Sequence, residues 1–133
     1  GRAEPYPGPC GAWEHQGMVS IDGIRATALA LPGTYEQASY EGRPSWRTKP
    51  RIFATINVEE ASLVVWVDSE DEKRALLQAD PDVFATTPHY DGYSIILARL
   101  SAVTEATAAE LVTDSWRLRA PRSLVRQWES ERA

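Results

Sequence analysis

From Ser20 onward the apolar residues fall into patterns with recognisable periods. Ile21, Ile24, Ala28 and Leu31 are spaced as one stripe of a helix, with Ser20 placed to cap it and Pro32-Gly33 to stop it. The middle of the chain switches to a period of two. "TYEQASY" and "PSWRT" are short strand candidates. "RIFATINV" sets Ile52, Ala54, Ile56 and Val58 on one face and Phe53, Thr55 and Asn57 on the other. "SLVVWVD" is apolar on both faces, as a central strand requires. "EGRP" and "NVEEAS" carry the turn residues, so an antiparallel meander is predicted.

Ser69 and Glu72 form a Ser-x-x-Glu capping box, with Glu70, Asp71 and Glu72 in the positive first turn of a helix that runs to Ala79 and stops at Asp80-Pro81. "YSIILARL" predicts one more buried strand. A helix from Thr104 buries Ala108, Leu111, Val112 and Ser115, with Trp116 at its edge. Pro121 interrupts it, and Leu124, Val125 and Trp128 predict a last short amphipathic helix. The order of helix, strands, helix, strand and helices indicates an α+β domain with a mostly antiparallel sheet.

Residues 1–17 hold three prolines and four glycines without apolar periodicity, so they read as an irregular leader before a domain over 18–133. The leader lacks the apolar run of a secretory signal, which makes the cytoplasm the expected location.

With 133 residues, 43% hydrophobic and 25% charged, the chain has the length and composition of a single globular core, and disordered, collagen-like and coiled-coil classes are disfavoured. Its longest apolar stretches fall far short of the roughly 20 residues of a membrane span. Cys10 is the only cysteine and there are two histidines, too few ligands for a closed Cys/His zinc site; no metal, cofactor or internal disulfide is expected. Fourteen basic residues against nineteen acidic ones give a net charge of −5. The average field therefore repels polyanions, and any nucleic-acid contact has to be local.

"LALPGTYE", "RPSWRTKPRIFATI", "LVVWVDSEDEKRALLQADPDVFATTPHYDGY" and "SWRLRAPRSLV" together resemble, in order, the MmcQ/YjbR family of small bacterial proteins, over about Ile24 to Val125. The resemblance implies a frataxin/CyaY-like α+β fold, an antiparallel sheet flanked by helices. It also implies the role proposed for such proteins, DNA binding through two protruding β-hairpins, a double wing.

Arg43, Arg47, Lys49 and Arg51 place four positive charges within nine residues, with Trp46 interleaved and no acid among them. Alternation puts Arg47 outside and Trp46 inside, and the segment matches the first wing. Four phosphate contacts would give a salt slope of about −3.6, a roughly hundredfold loss of affinity from 50 to 200 mM salt. The plain alternative is a solvated hairpin whose charges protect a sheet edge. A second block, Arg117, Arg119, Arg122 and Arg126, suits the negative end of a helix and enlarges the patch only if the fold brings it beside the hairpin.

Asp68, Glu70, Asp71 and Glu72 are explained by capping rather than chelation, since successive residues entering a helix point apart. His89 beside Tyr90, Asp91 and Tyr93 is the one cluster suited to acid/base work near neutral pH, but it lacks a nucleophile, and Asp91-Gly92 is good turn chemistry. The first reading is thus non-catalytic, low-specificity DNA binding. The second is a small-molecule or protein-interaction pocket built from Trp46, His89, Tyr90 and Tyr93.

Overall fold

The computed structural model describes residues 19–132. The irregular leader over 1–17, with Cys10, and the start of the domain at Met18 lie outside them. Among the described residues the elements are α1 (Ile21–Leu29), β1 (Tyr35–Glu36), β2 (Ser45–Thr48), β3 (Arg51–Asn57), β4 (Ser62–Trp66), α2 (Glu70–Ala79), β5 (Phe84–Ala85), β6 (Ile95–Arg99), α3 (Glu105–Arg119) and α4 (Arg122–Arg132). No described helix is long and apolar enough to cross a membrane.

The helices start where side chains satisfy their free N–H groups. Ser20 Oγ accepts the Gly23 N–H at 3.0 Å, Ser69 Oγ the Glu72 N–H at 3.0 Å, and Thr104 Oγ1 the Thr107 N–H at 3.1 Å. Glu72 reaches one residue further back than a capping box requires, its Oε1 accepting the Asp68 N–H at 3.1 Å. After α1 the chain turns at Gly33, whose φ of +70° is the left-handed conformation that favours glycine.

The six strands form one antiparallel sheet in the order β1-β2-β3-β4-β6-β5. Strands β2, β3 and β4 are the predicted meander, and β6 returns from across α2 to pair with β4. Strand β1 keeps only two residues of "TYEQASY", because Glu41 and Gly42 with φ of 61° and 75° turn the chain back toward β2. Strand β5 is an edge of two residues that no periodicity announced.

The main core joins the sheet to the helices: Ile24 and Ala28 of α1, Val112 and Trp116 of α3, and Val125 and Trp128 of α4 pack with Trp46, Ile56, Leu63, Val65 and Ile96. Trp116, expected at the edge of its helix, has 0% exposure, because α1 and α4 close over it and its Nε1 donates to the Pro32 carbonyl at 3.1 Å. A smaller cluster of Val64, Ile95 and Leu97 carries Trp66, Ala85 and Tyr90 packed against it.

The alternation expected for β3 breaks at Phe53. Trp46 pairs with Ala54 and Arg47 with Ile52, leaving Phe53 as an extra residue opposite β2. This bulge lets Phe53 and Ala54 both enter the main core at 0% exposure. Val58, expected to continue the strand on the face of Ile52, Ala54 and Ile56, lies in the following turn with 64% exposure.

Candidate nucleic-acid interface

Antiparallel pairing decides which loops share an end of the sheet. Thr48 pairs with Arg51 beside the Lys49-Pro50 turn, and Trp66 pairs with Ile95. The β2–β3 turn and the long β5–β6 loop therefore lie at the same end, with the end of β4 and its Trp66 between them. The β3–β4 turn lies at the opposite end and carries Glu59 and Glu60.

Helix α3 reaches this end and is tied to it. The Ser115 hydroxyl, with 0% exposure, donates to the Phe53 carbonyl at 2.6 Å and accepts the Trp66 N–H at 2.9 Å. It thus bridges β3 and β4 just beyond their last paired residues, Ala54 and Val65. One helical turn later Arg119 Nε donates to the Ile52 carbonyl at 3.0 Å, and its guanidinium carbon lies 4.1 Å from the centroid of the Trp66 ring. Partial burial, followed by the nearby charge of Arg51, lowers the pKa of Arg119. Because Ile52 follows Arg51 directly, the Arg119 hydrogen bond brings both arginines to this end of the sheet.

The β5–β6 loop is held by Lys73 of α2, a buried lysine that sequence reasoning passed over. Its Nζ donates to the carbonyls of Tyr90 at 2.8 Å and Tyr93 at 3.0 Å. The carbonyls fix the loop while the rings remain at the surface: Tyr90 is half-buried against the smaller cluster, Tyr93 is 60% exposed, and His89 is exposed with its ring edge-on to Tyr90 at 4.9 Å between centroids.

The candidate residues therefore separate. Arg47, half-buried, stands opposite Ile52 and has its Nε shielded from solvent without a hydrogen-bond partner. Lys49 and Arg51 are exposed in the same hairpin, and Arg122, three residues beyond Arg119 in the chain, is exposed as well. Among the described residues none of Arg47, Lys49, Arg51, Arg119 and Arg122 has a carboxylate within 4.0 Å. Arg43 belongs to the other end of the sheet, where Glu59 and, at 3.8 Å, Glu41 neutralise it. Arg117 turns to α4, paired with Asp114 at 3.6 Å and Glu129 at 3.4 Å and packed over Trp128 at 4.9 Å.

The expected pocket also divides, because Trp46 has 0% exposure and packs into the core, while His89, Tyr90 and Tyr93 stay together. Trp66, absent from the sequence-derived set, takes the central place. Its signal was its position at the end of the central strand, which periodicity treats as ordinary core. Asp68, Glu70, Asp71 and Glu72 are exposed, and among the described residues no three carboxylate, imidazole or thiol groups converge as a metal site would need.

A six-stranded antiparallel sheet with this helix order defines an α+β class that solved structures also contain. The Deinococcus radiodurans protein DR2400, with family-model domain DUF419, superposes with a TM-score of 0.66 at 23% identity, covering 76% of this chain and 78% of that one. The YjbR family model matches residues 29–118, and the chain belongs to that family. Uncharacterised protein Rv2570 of Mycobacterium tuberculosis and uncharacterised protein Mb2600 of Mycobacterium bovis are each 31% identical to it over 121 residues, covering 81% of this chain and 94% of the relative.

Proposed function

We propose that this protein binds nucleic acid, without catalysing a reaction on it, through the end of the sheet formed by the β2–β3 turn, the β5–β6 loop and the last turn of α3. One observation carries the reading. Arg119 lies over Trp66 and bonds the Ile52 carbonyl, which brings it to the β2–β3 hairpin of Arg47, Lys49 and Arg51; Arg122 follows three residues on in the chain, and none of the five has a carboxylate partner among the described residues. Like charges kept together without counter-charge favour an anionic ligand.

Two loops at one end of the sheet also fit the double-wing arrangement that the family resemblance implies. They form a saddle rather than long arms, since Arg119 and Ser115 hold the base of the β2–β3 turn. The phosphate contacts are assigned to Arg47, Lys49, Arg51, Arg119 and Arg122. His89 lies exposed on the loop surface rather than in a cleft, which supports binding over acid/base catalysis. The cytoplasm is the proposed location.

The test is titration of labelled DNA, single-stranded and duplex, at about 50 and 200 mM salt. Binding that weakens steeply with salt and is lost in an Arg47→Ala, Lys49→Ala double variant is expected. Absence of binding to either form at the lower salt would sink the reading.

A further inference from the structure

Five cations on a molecule of net charge −5 are a small supply for gripping a duplex, on which binding rests chiefly on the number of phosphates neutralised. What this end of the sheet adds is aromatic surface. Trp66 and Tyr90 pack on the same small cluster, Tyr93 is 60% exposed, and His89 stands edge-on to Tyr90. Inside a duplex the faces of the bases are already stacked, whereas an unpaired base offers its face to a ring.

Charge is distributed around Trp66 in a way that separates phosphate from base. The Arg119 guanidinium lies over the Trp66 ring and its Nε bonds the carbonyl of Ile52, the residue after Arg51, so the cations gather toward the β2–β3 hairpin. Trp66 also borders a cleft of about 220 Å³, walled by Val67, Leu111 and Leu118 and rimmed by the carboxylates of Asp68, Glu72 and Asp114, with Arg117 on the same rim but already paired with Asp114 and Glu129. Carboxylates repel a phosphodiester, so the backbone is held to the arginine side. The cleft is left to a flat, uncharged base resting on apolar walls, and Leu118 at 41% exposure remains open to receive it.

Resting on the nucleic-acid reading above, we infer that the preferred ligand is an unpaired strand. Its phosphates run along Arg47, Lys49, Arg51 and Arg119, and its bases stack on Tyr93 and Tyr90 and enter the cleft beside Trp66. The strand is recognised by backbone charge and base faces, so weak sequence preference accompanies a strong preference for single strands.

The experiment compares a labelled mixed-sequence oligonucleotide of roughly 20 residues with its annealed duplex, by fluorescence anisotropy at about 50 mM salt. The single strand is expected to bind at least about tenfold more tightly. Tyr93→Ala and Leu118→Glu, both at exposed positions that spare the core, are each expected to weaken single-strand binding about fivefold or more while leaving duplex binding unchanged. Duplex affinity equal to or above that of the single strand overturns the inference and leaves the nucleic-acid reading standing. Single-strand binding unchanged in both variants does the same, and no binding of either form removes both.

Discussion

The indole N–H of Trp46 donates to Glu36 Oε1 at 2.9 Å. The same oxygen accepts Arg25 Nε at 2.7 Å, so one carboxylate on the edge strand satisfies the polar atom of a fully buried tryptophan and fastens α1 to the sheet. The Arg25 guanidinium, aided by the Trp46 N–H, holds the Glu36 carboxyl below the usual glutamate range. A carboxyl lowered in the folded state contributes stability that is fully present above its unfolded value and is lost as pH falls through the folded one. With the Glu36 side chain at 30% exposure, the contribution is modest, and Glu36→Gln is expected to cost about 1 kcal/mol near neutral pH. Urea unfolding of both proteins should show that difference shrinking below the ordinary glutamate range. A difference that stays constant with pH would contradict the coupling.

Ser115→Ala should be more costly than an ordinary surface change. It leaves the Phe53 carbonyl and the Trp66 N–H without their shared partner in a dry setting, a loss of about 2 kcal/mol. Equilibrium unfolding measures it, and a change within a few tenths of a kcal/mol would mean that the bridge is replaced by water.

At Gly33 an added Cβ would come within 2.7 Å of Leu124 Cδ1, at a positive φ. Gly33→Ala thus combines backbone strain at a positive φ with displacement of the half-buried Leu124 side chain and is expected to lower stability by about 2 kcal/mol. Retention of full stability in the same unfolding assay would show that Leu124 moves aside and the backbone strain is absorbed without cost.

Lys73→Met keeps the apolar stem and removes the donor to Tyr90 and Tyr93. Faster amide exchange is expected at Asp91 and Tyr93, whose N–H groups bond Pro88 and Tyr90 within the loop, while the exchange of β4 stays slow. Unchanged exchange in the loop would reassign Lys73 to packing alone.

Binding should also distinguish the separated cations. Lys49→Ala and Arg51→Ala are each expected to reduce the magnitude of the salt slope for single strands by about 0.7. Arg43→Ala and Arg117→Ala, whose charges are already met by Glu59 and Glu129, are expected to leave it unchanged. Equal effects at all four positions would point to net charge rather than a defined surface.

Local rules made much of the fold legible. Ser20 and Ser69 announced their helices because capping is a local relation a few residues long, and Ala54, Ile56, Leu63 and Val65 announced a meander because side chains alternate along a strand. The β3 bulge was hidden, since Phe53 and Ala54 share the core only through a register set by Arg47 and Ile52 on two different strands. Strand β5 was hidden as well, because two residues are too few to show a period.

The sequence by itself determined the helix starts, the central strands, the family and the presence of a basic segment inside an acidic chain. Only the tertiary structure decided which charges act together. Arg119 and Arg51 are far apart in the chain and reach the same end of the sheet because α3 ends over β3, where Arg119 bonds the Ile52 carbonyl, while Arg43, close in sequence to Arg47, is carried to the opposite end and neutralised by Glu59. Electrostatic interaction depends on distance in space, and spacing along the chain reports that distance only within a single helix or strand.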